Sequence, residues 1–259
     1  MSSTPGYRAP AVARAFALLE AVAQAGRPIG LSDLSIKLGL SKSTVHGLVN
    51  ALTRAGALVR ASGTKKLLIG PLVHQLAATS FNWPKLTARL QPRLQELCHA
   101  MEHTVCLGLI GKSDHLILAS AEPEATIKIT AAPGTRLPML AGALGKLLLA
   151  AMPEQQARLI LESKGLPRFT SHGPASIEQY LDQLQQVRQK GYAIDRQEYL
   201  PGVMAVAVRL EPCSVPGLAL WCVGLASAFG NQDLDRLGSI LLARRKELAF
   251  AIEDRPARM

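Results

Sequence analysis

Residues 31–56, Leu-Ser-Asp-Leu-Ser-Ile-Lys-Leu-Gly-Leu-Ser-Lys-Ser-Thr-Val-His-Gly-Leu-Val-Asn-Ala-Leu-Thr-Arg-Ala-Gly, constrain the fold more than any other stretch of the chain. Two short runs with helically spaced apolar residues flank a Gly-Leu-Ser corner. In the first run Leu34 and Leu38 lie one turn apart, and Ser32 is placed to cap the start. Gly39 turns the backbone, Leu40 plugs the corner and Ser41 caps the second run. There Val45, Leu48, Val49 and Leu52 form one inward face. Lys42, Ser43, Thr44, His46 and Asn50 are left outside. Cationic and hydrogen-bonding groups near a helix N-terminus are the chemistry that meets bases and phosphates in a DNA groove.

The flanking residues extend this pair into a domain. Upstream, Val12, Phe16, Leu19 and Val22 predict an amphipathic helix that ends near Gly26 and faces inward. Downstream, two apolar-containing runs, 57–60 and 65–69, surround Ser62-Gly63-Thr64, a hairpin signal. Three helices followed by a hairpin predict a winged helix-turn-helix over residues 8–70. Its wing carries Arg60, Lys65 and Lys66, and Arg54 lies where flanking phosphates would pass. Residues 1–70 hold nine Lys or Arg against two Asp or Glu, so they carry +7 of the chain's +10. Positive charge concentrated in about a quarter of the chain is the electrostatic footprint of a polyanion partner, here a double-stranded DNA operator.

The remaining 189 residues are close to neutral, and 259 residues suffice for two separate cores. No signal-peptide pattern opens the chain, and its apolar runs fall short of the ~20 residues that span a bilayer, so no membrane role is expected. Four cysteines without close spacing predict reduced thiols in a cytoplasm.

Beyond residue 70 the periodicity predicts a linker helix over 71–84 and a domain over 85–255. A helix from Lys85 carries Leu86, Leu90, Leu94, Leu97 and Met101 inward. Strands are expected at 104–110, 115–120, 125–132, 192–194, 203–210 and 218–227, and helices at 142–152, 154–163, 177–190 and 234–252. An antiparallel meander with flanking helices makes the class α+β.

In their order and spacing, several short motifs together resemble the IclR family of transcriptional regulators over nearly the full length. They are Arg14-Ala15-Phe16-Ala17-Leu18-Leu19, Leu38 to His46, Gly134-Thr135-Arg136-Leu137-Pro138, Ala143-Leu144-Gly145-Lys146, Gly191-Tyr192-Ala193-Ile194-Asp195 with Glu198, and Pro201-Gly202-Val203. The resemblance implies a winged helix, a linker helix and a GAF-like effector domain with a central antiparallel sheet. It also implies a cytoplasmic homodimer or dimer of dimers, no cofactor, and operator binding that responds to a small metabolite.

The same resemblance maps an effector pocket onto Leu140, Gly142 and Ala143, onto Asp195 and Glu198, and onto Ala205, Leu220 and Cys222, with Leu107 and Leu109 from the early strand. Family members commonly offer polar groups at several of these places. Here Leu140, Gly142, Ala205 and Val223 are apolar or lack a side chain, and Trp221 stands where a small polar residue is usual. A pocket with few donors penalises a highly charged acid, so an apolar or aromatic effector is expected. Any carboxylate on it would need backbone N–H groups near Gly142 to Gly145. The alternative is a ligand-independent DNA-binding dimer whose pocket Trp221 fills.

Sharper chemical readings are weaker. Cys98, His99, His103 and Cys106 suggest zinc, but adjacent Cys98 and His99 point apart on a helix, so no metal is expected. Leu140 and Leu147 break the phosphate-loop pattern around Gly145-Lys146. Asp195 and Glu198 are expected to bind loop backbone or to pair with Arg196 or Arg209. No catalytic constellation emerges, so an enzyme is not expected.

Overall fold

The computed structural model describes residues 9–80, 83–211, 215–229 and 233–253. The chain divides into two compact units, Met1–Asn82 and Trp83–Met259. The first contains helices α1 (Pro10–Ala25), α2 (Leu31–Leu38) and α3 (Lys42–Arg54), a hairpin of β1 (Leu58–Arg60) and β2 (Leu67–Ile69), and helix α4 (Pro71–Ser80). Gly39 closes α2 in the left-handed region at φ 62°, where a residue without Cβ avoids the steric penalty. Leu18, Ala21, Val22, Leu34, Val45, Val49, Leu58 and Leu67 form one core between helices and hairpin. Ile29 and Leu67 exchange backbone hydrogen bonds at 3.1 and 2.8 Å, adding a third strand segment to the hairpin.

Two local expectations are corrected here. Val12 and Phe16 do not face inward; they are 55% and 64% exposed. Helix α1 carries two overlapping apolar stripes, and packing selects the one through Leu18 and Val22. Ser32 does not cap α2: the helix begins at Leu31 with Gly30 as its cap, two residues earlier than the serine requires.

The second unit runs α5 (Trp83–Met101), β3 (Thr104–Ile110), β4 (Asp114–Ala121), β5 (Arg136–Pro138), α6 (Gly142–Ala150), α7 (Glu154–Lys164), α8 (Ile177–Lys190), β6 (Tyr192–Arg196), β7 (Val203–Arg209), β8 (Leu218–Leu225) and α9 (Asp233–Glu253). Its six strands form one antiparallel sheet in the order β5-β4-β3-β8-β7-β6. It is therefore not one continuous meander. Two three-strand runs are joined where β3 pairs with β8. Helices α5 and α9 cover one face, and α6, α7 and α8 enclose the main core on the other.

The expected strand at 125–132 is not a strand. The outer edge of β4 is already occupied by β5 and by Gly134 and Thr135, which exchange hydrogen bonds with Ile117. Segment 122–135 instead crosses as irregular backbone, tied down where Thr104 Oγ1 donates to the Ile129 carbonyl at 2.5 Å.

A bulge between Leu107 and Gly108 shifts the β3–β4 register by one residue. Beside it, the Trp221 ring packs against Gly108 where any larger residue would put its Cβ. Replacing Gly108 by Ala would drive a methyl into that ring and into the Leu116 carbonyl. The expected cost is about 1–3 kcal/mol, the range for overpacking a filled core, measured by urea denaturation of the full chain.

Candidate nucleic-acid interface and effector cavity

The polar face of α3 is organised by its cap. Ser41 Oγ accepts the Thr44 N–H at 3.2 Å and lies 2.9 Å from Ser43 Oγ and 2.8 Å from Thr44 Oγ1. Lys42, Ser43 and His46 are exposed, and Thr44 and Asn50 are half-buried. Asn50 Nδ2 lies 3.3 Å from His46 Nδ1, so these two side chains sit one turn apart as a pair. Arg54 is exposed in the last turn of α3. Lys65 and Lys66 are exposed at the hairpin tip, whose turn is held by Thr64 Oγ1 donating to the Ala61 carbonyl and accepting the Lys66 N–H. All eight residues expected to contact DNA thus lie on α3 or the wing of one unit.

The second unit contains a cavity of about 160 Å³ between its sheet and the start of α6. Ile117, Leu137, Ala143, Leu144, Ala205, Trp221 and Val223 supply aliphatic and aromatic wall, and segment 129–131 lies across it. Trp221 is a wall of this space and leaves it open. Thr130, Thr135, Tyr199 and Asp195 are the polar side chains of the lining, which includes no Lys, Arg or His among the described residues.

Asp195 stands at the junction of cavity and core. It is 5% exposed, and burial pushes its carboxyl up to about 6, opposed by the Glu198 N–H that donates to Oδ1 at 2.6 Å. Its other oxygen lies against Gly142, the first residue of α6, where φ is +40° and a Cβ would overlap the carboxylate. Glu198 turns the opposite way. Its Oε1 accepts from Lys146 Nζ at 2.6 Å, and Lys146 also donates to the Ile194 carbonyl at 2.7 Å. Both side chains of this ion pair are about nine-tenths or more buried. The expected pairing of these acids with Arg196 or Arg209 is therefore replaced. Arg209 binds Glu211, and Arg196 approaches Asp235.

Over residues 11–62 the chain matches the IclR helix-turn-helix domain, and over residues 80–243 the bacterial transcriptional regulator IclR C-terminal domain. The chain belongs to the IclR family. It is 27% identical over 241 residues to the acetate operon repressor of Salmonella typhimurium, covering 92% of this chain and 88% of that one. An IclR regulator from Alicyclobacillus acidocaldarius superposes with a TM-score of 0.68 at 25% identity, covering 95% and 99% of the two chains. An IclR homologue from Microbacterium hydrocarbonoxydans, solved with 4-hydroxybenzoate, shares the fold with a TM-score of 0.69 at 20% identity, covering 95% and 100%. The family consists of DNA-binding transcriptional regulators, not enzymes.

Within this IclR-family chain the structure redistributes the expected effector residues. Ala143, Asp195 and Ala205 line the cavity. Leu107, Leu109, Leu220 and Cys222 do not. In register, Leu107 opposes Leu220 and Leu109 opposes Leu218, whereas Cys106 opposes Trp221, whose ring lines the cavity. Strand side chains alternate between faces, so the four residues belong to the face covered by α5 and α9. Leu140, Gly142 and Glu198 lie just outside the cavity, around a crevice they share with Lys146, Phe169 and Tyr180. Ile117, Ile129, Leu137, Tyr199, Leu200 and Val203 line the cavity without having been expected there. Both faces of β8 are buried, so its alternation groups Trp221 with Val223 but does not single out the cavity face.

Among the described residues no group of three or more His, Cys, Asp or Glu could hold a metal ion. Cys98 is buried and His99 exposed, as expected of neighbours on a helix, while His103 packs on Phe229 with ring centroids 4.1 Å apart. Burial pushes the Cys106 thiol up to about 12. No helix among the described residues is long and apolar enough to cross a membrane.

Replacing Lys146 by Met would strand the buried Glu198 carboxylate. Chemical denaturation should show a loss of about 3–5 kcal/mol, and the double replacement Lys146→Met with Glu198→Leu should recover most of it.

Proposed function

We propose that this protein binds a double-stranded DNA operator through α3 and the wing, and that a small molecule with a single-ring or similarly sized apolar body modulates that binding from the cavity. The pairing that carries this reading is a cationic, well-capped helix-turn-helix in the same chain as an aliphatic and aromatic cavity. Lys42, Ser43, Thr44, His46 and Asn50 enter the major groove, Arg54 holds flanking phosphate, and Lys65 and Lys66 reach the adjacent backbone or minor groove. Two subunits read a roughly palindromic site. The effector binds one dimer geometry better than another and so shifts the population competent for the operator. The 4-hydroxybenzoate held by the Microbacterium homologue supports a ring-sized effector here.

Two measurements test the two halves of this reading. If Lys42 meets a phosphate, Lys42→Ala weakens matched and scrambled duplexes alike and reduces the log–log salt slope by about 1. Loss confined to the matched duplex would assign Lys42 to a base instead. In calorimetry, monocyclic aromatic compounds should bind and succinate should not, with Ala205→Leu abolishing the heat by filling the cavity. A preference for succinate would overturn the apolar reading.

A further inference from the structure

We infer that the effector of this cavity is an uncharged, single-ring molecule carrying a hydroxyl group, and that Asp195 reads the hydroxyl by accepting its proton in a hydrogen bond. This inference rests on the cavity being the effector site. Size supplies the ring. A cavity of about 160 Å³ is close to the ~150 Å³ apolar cavity that accommodates benzene. The walls supply little else, since Trp221, Ile117, Leu137 and Val223 reward apolar contact and offer no counter-charge.

Charge then selects the polar group. An anionic ligand would enter beside the Asp195 carboxylate, which is itself buried. The nearest buried cation cannot compensate, because Lys146 is committed to Glu198 and the Ile194 carbonyl and is not part of the lining. A cationic ligand fares no better. Ala141, Ala143 and Leu144 place the start of α6 at the cavity, and this helix has no side-chain cap. The first-turn N–H groups of a helix lack helical acceptors and present the positive end of its dipole. A carboxylate acceptor beside uncapped N–H donors is complementary to a neutral group that both donates and accepts. A hydroxyl does both from one atom. A carboxylate ligand could still bind if Asp195 took a proton first, so its affinity should depend on pH in a way that a neutral ligand's does not.

The test uses the full-length protein and three ring compounds of similar size, 4-methylphenol, toluene and 4-methylbenzoate, in calorimetry at pH 7.5. A hydrogen bond to an ionised acceptor predicts that 4-methylphenol binds about tenfold or more tightly than toluene, with 4-methylbenzoate weaker than 4-methylphenol by at least a similar factor. Asp195→Asn should erase that order by weakening 4-methylphenol and strengthening 4-methylbenzoate. A pH series on the unmodified protein gives a readout that does not depend on the variant folding. Burial sets the Asp195 carboxyl near 6, so 4-methylbenzoate should bind more tightly as pH falls from 8 to 5.5, while toluene does not change. The groups around Asp195 in that experiment are Glu198 and Tyr199 on its own loop, Lys146 from α6 and Tyr180 from α8, and burial pushes both tyrosines up, away from this range. If 4-methylbenzoate matches or exceeds 4-methylphenol at pH 7.5, or toluene equals it, the hydroxyl assignment is overturned while the cavity stands, provided Ala205→Leu abolishes binding. If none of the three binds, or binding survives Ala205→Leu, the cavity reading falls and takes this inference with it.

Discussion

The buried ion pair between Lys146 and Glu198 holds together the loop that forms one wall of the cavity. Neither charge would tolerate burial alone, and the 2.6 Å contact is completed by the Ile194 carbonyl on the lysine. Such a pair adds little net stability over apolar residues of the same shape, but breaking it is costly, and so it specifies one arrangement. The arrangement here is the loop from Asp195 to Gly202. Gln197 within it adopts φ 63°, a conformation that costs a non-glycine residue about 1 kcal/mol or more. It is held there from several directions. Thr170 Oγ1 donates to the Gln197 carbonyl, the Gly202 N–H donates to its side chain, and the Glu198 N–H donates to Asp195. The same loop carries Asp195, Tyr199 and Leu200 into the cavity wall. An ionic lock outside the cavity therefore sets the shape of an apolar space inside it.

This division of labour continues along the chain. Most of the net positive charge, +7 of +10, lies in residues 1–70, and there Lys42, Arg54, Lys65 and Lys66 stay in solvent on α3 and the hairpin tip. The second unit is nearly neutral, and its buried charges are few and named: Lys146, Asp195 and Glu198. On the proposed function, long-range attraction to a polyanion and short-range recognition of an apolar ligand belong to different parts of one polypeptide, and neither interferes with the chemistry of the other.

Much of this was legible in the sequence because the determining signals are local. The α2–α3 corner follows from Gly39 and Ser41, and the bounds of β3 and α8 follow from their apolar period and flanking turn residues. What was not legible depends on which neighbour a residue meets. Period-two alternation shows that Leu220 and Trp221 face opposite ways, but not which way is toward α6, and the bulge at Leu107 and Gly108 hides the register further. The apolar segment 125–132 has the composition of a strand, yet no free sheet edge remains for it beside β4. The partner of Glu198 could not be chosen from proximity in sequence, because Lys146 lies 52 residues away while Arg196 lies two residues away. On α1, two apolar stripes compete, and only the core composed with Leu34 and Val49 decides between them.

The central claim is that a molecule in the cavity is felt first by the start of α6 and the loop that the ion pair holds. Hydrogen–deuterium exchange on the full-length protein, with and without a saturating monocyclic phenol, tests it most directly. The account predicts slowed exchange confined at first to residues 129–131, 141–145 and 195–205, with α3 changing only when DNA is also present. Protection appearing instead along α5 and α9, or none anywhere despite measurable binding, would contradict it.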